Sequence, residues 1–456
     1  MKKRLTFLLL LLLLLTQLVR AEDSLLADFL NMLPHGGTET SLSMGRERIL
    51  RLSDGESARY TFPDGDVYFQ HTGTLAPQWT LPFKPLTVRT LQEDGTWYVV
   101  RNPIDFSSRH TVFLDTEGLH LVLVPPLAYA ETRRDCLQAL PELDGEITVT
   151  RQKGSFVLSL SHPEGEGQWH WYLLASSRPL VEWTSSQKSI WKGYDMTGQY
   201  RFCQKGFYQL SPESYDPTGD GVYFLNPASY IPAKFIATGG SRAADKLGIA
   251  MLDTVRRNLQ GRGQIPISTE SSWLKTDYGI GPGYYDTRWS TDLGLALSQA
   301  DKKFGLPDFR ADVQAMADHV ADHIRQNGFT LPGKTGLLSP DYSWDGSYKT
   351  PHCSLNHALA EALLLYQGGR EQEADALVLA LAEADWLRPD GNLKYGLMPD
   401  GREVGTDYPY LTYNDLLLLR KYYETTGRQY PKALQTLMDS KLRYMQSQNI
   451  TGYLPS

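Results

Sequence analysis

The hydrophobic period changes partway along this 456-residue chain, and that change limits its architecture more than any single motif does. From about Arg48 to Tyr200, short runs alternate apolar with polar residues, as in Glu146-Ile-Thr-Val-Thr150 and Ser155-Phe-Val-Leu-Ser-Leu-Ser161, the pattern of strands with one buried face. Asp54-Gly55, Asp64-Gly65, Asp94-Gly95 and Asp144-Gly145 punctuate these runs, which predicts an antiparallel sandwich or barrel. After about Pro232 the apolar residues recur at i, i+3 and i+4. Helices are predicted over 243 to 258, 290 to 304, 309 to 327, 355 to 367, 371 to 384, 416 to 426 and 431 to 446. The reading is a multidomain β + α chain, with a β-rich domain over 22–230 and a helical α/α toroid over 231–456.

The predicted helices are separated by long loops, Ser268 to Trp289, Thr330 to Ser354 and Leu387 to Asn414, rich in Tyr, Trp, Gly, Pro and Asp. Loops of that length inside a compact domain are usually functional, and successive helical hairpins would bring them to one end. The chain carries 26 Tyr and 10 Trp, whose faces can pack on sugar C–H surfaces while Tyr hydroxyls bond sugar hydroxyls. Core and rim packing is the plainer use of any one of them.

Residues 1–21 read as a signal peptide. Lys2, Lys3 and Arg4 precede an apolar run from Phe7 to Leu15, and Val19 and Ala21 supply small residues at a cleavage site. Nine residues cover only about 14 Å of a ~30 Å hydrocarbon core, so the run is too short to span. A secreted or periplasmic chain with no membrane anchor after cleavage is expected. Removing four basic residues leaves 41 basic against 52 acidic, a net charge of −11. That balance disfavours nucleic acid, whose binding depends on surplus Lys and Arg. In an oxidising compartment Cys136 and Cys203 are candidates for a disulfide, with Cys353 left over; the other reading is three buried thiols.

Three stretches of the helical half belong together: Gly281-Pro-Gly-Tyr-Tyr-Asp-Thr-Arg-Trp-Ser290, Tyr348-Lys-Thr-Pro-His-Cys-Ser-Leu-Asn-His357, and Tyr395 to Tyr408 running on into Pro409-Tyr-Leu-Thr-Tyr-Asn-Asp-Leu-Leu-Leu-Leu419. In order and spacing, over about residues 260–445, they resemble the C-terminal domain of the D-glucuronyl C5-epimerases, which act on heparosan-type glycans. The resemblance implies an isomerase whose catalytic residues are Tyr348, Tyr395 and Tyr408, with Tyr284, Tyr285, Arg288, Asn356, Arg402 and Asn414 binding substrate. Two positions depart from the family. Ser347 stands where the family has Glu, with Asp345 the nearest carboxylate, and Met398 stands where it has Arg, with Arg288 and Arg402 the nearest candidates.

Inverting C5 of a uronate means removing a proton α to a carboxylate and returning one to the opposite face. That requires two proton carriers and donors that stabilise the developing charge. Tyrosine can serve if its surroundings lower its pKa from ~10. A polysaccharide lyase would remove the same proton and then expel the C4 oxygen, and a glycan-binding or assembly protein could keep the fold without the chemistry. The partner expected is an acidic polysaccharide, with a homodimer left open and no cofactor required. His319 and His323, at i, i+4 beside Asp318 and Asp322, could hold a metal but lack a third ligand. The loop Asp216 to Gly221 has carboxylates suited to Ca²⁺ without EF-hand spacing.

Overall fold

A computed structural model describes residues 25–455, so the signal-peptide reading of residues 1–21 lies outside the described residues. Among those described, no helix is long and apolar enough to cross a membrane.

The β half is built on a thirteen-stranded antiparallel sheet, faced by a smaller one of four strands. The strand Gln168–Ser176 shows how the large sheet is used. Trp171, Leu173 and Ala175 enter the core between the two sheets, while Tyr172 and Leu174 leave on the other face toward the helices. Successive side chains of a strand point to opposite faces, so a strand between two cores is apolar throughout. The small sheet closes the first core with Trp79, Leu81, Ile147, Val149, Phe156 and Leu158, and a helix over residues 25–31 adds Leu25, Leu26 and Phe29.

Asp64-Gly65 lies in the turn between Ser57–Thr61 and Val67–Gly73, where Gly65 takes a φ of 88° open mainly to glycine. Gly145 is needed for another reason: a Cβ there would stand 2.2 Å from the Ser161 carbonyl oxygen.

The helical half, among the described residues, is an arc of four hairpins. Their first members are Tyr230–Thr238, Thr287–Phe304, Leu355–Gln367 and Leu411–Thr425, packed side by side. Each is backed by its second member: Arg242–Arg256, Pro307–Asn327, Glu371–Glu383 and Lys432–Ser447. Leu355–Gln367 lies deepest, with every residue from Leu355 to Tyr366 buried, as expected of a helix apolar all round.

The core does not divide near residue 230. It runs continuously from Leu42 through Tyr172 to Met445. Polar ties cross the same seam: Tyr60 Oη donates to Asp253 at 2.9 Å, Lys246 Nζ to Asp64 at 2.9 Å, and Ser43 N to Asp308 at 2.9 Å. A two-residue strand from each half, Tyr215–Asp216 and Glu270–Ser271, pairs antiparallel and carries Tyr215 onto the helical side.

Three helices depart from the sequence reading. Ser185–Asp195 lies in the region read as strands, capped by Thr184 accepting from Gln187 N, and buries only Gln187 and Trp191. Tyr230–Thr238 begins before Pro232, which its first turn tolerates. Ser272–Tyr278 lies inside the loop Ser268 to Trp289 and ends at Gly279 with φ 78°. Cys136, Cys203 and Cys353 are free and buried, so of the two readings left open the structure has three buried thiols and not the Cys136–Cys203 disulfide.

Candidate active site

The N-termini of all four first helices open on one cleft of about 470 Å³, within the ~300–1,000 Å³ of ordinary ligand sites. Tyr230, Arg288, Asn356 and Leu411, each within the first two residues of its helix, line it. Aromatic walls come from the loops and from the β half: Tyr215, Trp273, Trp289, Tyr342, Tyr395 and Tyr408. The Tyr395 and Tyr408 rings meet edge to face with centroids 5.8 Å apart. Gly405 makes room for this, since its φ is 69° and a Cβ would stand 2.5 Å from Tyr395 Cδ1. Beneath Tyr408, the buried Lys441 pairs with Asp407 and donates to the Tyr408 carbonyl at 2.9 Å and Asn392 Oδ1 at 2.7 Å, fixing the loop.

The floor is unusually acidic. Asp286 caps Thr287–Phe304, accepting from Trp289 N at 2.9 Å, and is 4% exposed. Burial, with Asp341 and Asp292 nearby, pushes its carboxyl up to about 7. Arg288 donates from Nε to Asp292 at 3.1 Å, from Nη1 to Asp415 at 2.6 Å and to the Asn356 carbonyl at 3.0 Å, and from Nη2 to Asp415 at 3.2 Å. Those bonds use four of the five guanidinium N–H groups. Burial works against the charged Arg288, but Asp292 and Asp415 outweigh it. Asp415 is itself raised by burial to about 6.

Behind the cleft Asp341, fully buried, accepts from Ser354 N at 2.7 Å and lies 3.2 Å from His352 Nε2. Tyr278 Oη is 2.7 Å from His352 Nδ1, and Thr287 Oγ1 is 2.8 Å from His357 Nδ1. Burial lowers His357 to about 4, so the imidazole facing the cleft is neutral. Glu361, one turn deeper on the same helix, is raised by burial to about 8.

Of the residues named from sequence, Tyr395, Tyr408, Arg288 and Asn356 meet in this cleft, and five do not. Tyr284 is buried behind the wall with its hydroxyl 3.3 Å from that of Tyr215, so it positions a lining residue without lining the cleft. Tyr285 points the opposite way, as the strand alternation at Tyr285–Asp286 requires, and packs on His319 and His323 with centroids 4.6 and 5.2 Å away. Tyr348 donates to Asn327 Oδ1 at 3.1 Å, at the far end of Pro307–Asn327. Arg402 belongs to the exposed turn at Asp400-Gly401, its Nε 3.8 Å from Asp400. Asn414 accepts from Leu454 N at 2.9 Å and ties down the C-terminal segment. His323, considered above for a metal, has its Nε2 2.8 Å from the Pro340 carbonyl oxygen. Among the described residues no group of three His, Cys, Asp or Glu is placed to hold a metal ion.

The tyrosine environment also differs from expectation. Burial and Asp286 raise the Tyr408 hydroxyl, and burial with Asp341 raises Tyr395 well above its ordinary value. Both therefore stand as proton donors at neutral pH. The groups missed from sequence are Asp286, Asp292, Asp415, Tyr215, Tyr230, Trp273, Trp289 and Tyr342. Only Asp286 and Arg288/Asp292 left a signal, as an N-cap position and an i, i+4 pair at the head of a helix.

No family model matches the chain, and no curated protein matches its sequence. Among solved structures it is similar to a family 76 glycoside hydrolase from a bovine Bacteroides thetaiotaomicron strain, with 13% identity over 89% of this chain and 78% of that one and a TM-score of 0.38. It is similar to cellobiose 2-epimerase from Spirochaeta thermophila, with 15% identity over 55% and 64% and a TM-score of 0.35. It is also similar to a polysaccharide lyase, with 10% identity over 90% and 75% and a TM-score of 0.25. Scores this low carry no argument about the chemistry of this cleft.

Proposed function

We propose that the chain is a glycan-processing enzyme that moves protons at a sugar ring, a uronate C5-epimerase acting on a glucuronate-containing polysaccharide. One observation carries the reading: a carboxyl poised near neutrality, Asp286, shares an aromatic-walled cleft with two protonated tyrosines, Tyr395 and Tyr408. A general base works best with a pKa near working pH, which suits Asp286 to take the C5 proton. Tyr408, 48% exposed, is the more accessible of the two tyrosines, and in this reading it returns the proton to the other face. The substrate carboxylate would draw on the remaining Arg288 N–H and on the helix N-termini as charge develops. In this reading Asp286 does the work of the glutamate replaced by Ser347.

A second reading, hydrolysis of a neutral glycan with Asp286 as the acid, is favoured by the two carboxylates already held on Arg288. Products separate the two. Epimerisation of heparosan leaves chain length unchanged, gives no absorbance near 232 nm and produces iduronate. Shortened chains with new reducing ends would support hydrolysis, and shortened chains absorbing near 232 nm a lyase.

A further inference from the structure

A second pocket, of about 160 Å³, lies where the large sheet meets the helix Ser185–Asp195. Arg109, His110, Tyr172, Tyr200, Arg201 and Tyr223 are among its lining residues. Three polar atoms of its lining residues are enclosed and have no hydrogen-bond partner among the described residues: His110 Nε2, Arg201 Nη1 and the hydroxyl of Tyr172, a residue 2% exposed. Leaving a buried donor unsatisfied costs ~1–3 kcal/mol, and more when it is charged. Arg201 is also held in place, its Cζ 5.3 Å from the Tyr223 ring centroid, while Tyr223 Oη donates to the Gly198 carbonyl at 2.9 Å.

The carboxylates nearby are engaged elsewhere. Asp195 accepts from Thr111 N at 2.8 Å and from Thr111 Oγ1, with His110 Nδ1 2.8 Å away. The hydrogen bond to Asp195 raises His110, whose Nε2 also lies 3.7 Å from Glu93. Asp144, within electrostatic reach of both arginines, accepts from Ala128 N at 2.7 Å. Arg109 and Arg201 both line the pocket. Donors without acceptors beside two arginines define a site for a small oxyanion.

Its position narrows the ligand. Tyr200 lines this pocket, Tyr230 lines the main cleft, and their ring centroids are 6.1 Å apart. The two sites thus share a wall, with Tyr200 on one side and Tyr230 on the other, which puts both within reach of a single glycan chain. We propose that the pocket holds the carboxylate of a second acidic sugar on the same glycan whose reacting residue occupies the cleft. This rests on the uronate reading of the cleft, and it gives a chain of net negative charge a place to grip a polyanion.

The test is calorimetric binding of a heparosan hexasaccharide, the same hexasaccharide after carboxyl reduction, and sodium sulfate alone, to the wild type and to Arg201→Gln and Tyr172→Phe. Arg201→Gln should weaken the acidic hexasaccharide ~10-fold or more, the scale of a charge-assisted hydrogen bond, and leave the reduced one unchanged. Tyr172→Phe should weaken it ~3-fold or more, which keeps the test decisive if Arg201→Gln fails to fold. Overturning results are hexasaccharide affinity within twofold of wild type in both pocket variants, or a loss confined to sulfate, which would mark an adventitious ion only. If the wild type proves inactive on uronates while both pocket variants still lose the acidic hexasaccharide, the cleft reading fails and the pocket stands as an acidic-sugar site.

Discussion

Replacing Asp286 by Asn should remove activity and stabilise the protein, and the stabilisation should grow with pH. Asn keeps an oxygen for the Trp289 N–H at 2.9 Å, so the helix cap survives and only the charge is lost. The wild-type carboxyl goes from an ordinary value of 3.8 to about 7 on folding. Between those values the folded state holds a proton the unfolded chain has released, so stability falls as pH climbs through that window. At ~1.36 kcal/mol per unit the penalty reaches about 4 kcal/mol by pH 8 and is about 2 kcal/mol at pH 5. The stability difference between variant and wild type should therefore widen by roughly 2 kcal/mol from pH 5 to pH 8. Urea unfolding of both proteins at the two pH values measures it, and titrating groups remote from Asp286 cancel in the comparison. In parallel, kcat/KM of the wild type should rise through about pH 7 as Asp286 ionises, and the variant should lose ~10² or more in rate. A stability difference independent of pH, or a variant with wild-type turnover, would refute the assignment.

Tyr408→Phe should lower turnover ~10²-fold while shifting the melting temperature by no more than a few degrees, because the residue is half exposed and its ring stays in place. Lys441→Ala should cost ~3–5 kcal/mol in denaturant unfolding, since it leaves Asp407 buried without its partner, and KM should rise as the Tyr408 carbonyl loses its anchor. A thiol reagent should titrate none of the three described cysteines in the native protein and all of them in denaturant. Burial pushes Cys136 up to about 11 and Cys203 to about 12, and no disulfide ties them, so a reductant should leave the melting temperature unchanged.

The helix Leu355–Gln367 could be read from its sequence to the residue because its leucines and alanines face inward at every turn and Gly368 follows. Ser185–Asp195 could not, since it buries only two side chains and its apolar side rests on Ile190, Trp191 and Tyr194 alone, inside a stretch that otherwise reads as strands. Nor could any window of sequence show Tyr215–Asp216 pairing with Glu270–Ser271, the contact that brings Tyr215 into the cleft. Motif order located Tyr395 and Tyr408 but not which neighbours face inward. Tyr285 and Asp286 are adjacent on a strand, so placing one in the cleft turns the other away. Asp286 was hidden by its ordinariness: an aspartate heading a helix usually caps it, and only burial among other carboxylates turns the cap into an acid with a pKa near neutral.

The central claim, proton transfer to and from carbon in the cleft of Asp286, Tyr395 and Tyr408, is tested most directly by incubating the protein with heparosan in D₂O and following the uronate H5 resonance by NMR. Loss of that signal, with deuterium at C5, unchanged chain length and no such loss in Asp286→Asn or Tyr408→Phe, is the result predicted. An H5 signal that persists at full intensity while the wild type cleaves the chain, or exchange that proceeds equally in both variants, would contradict it.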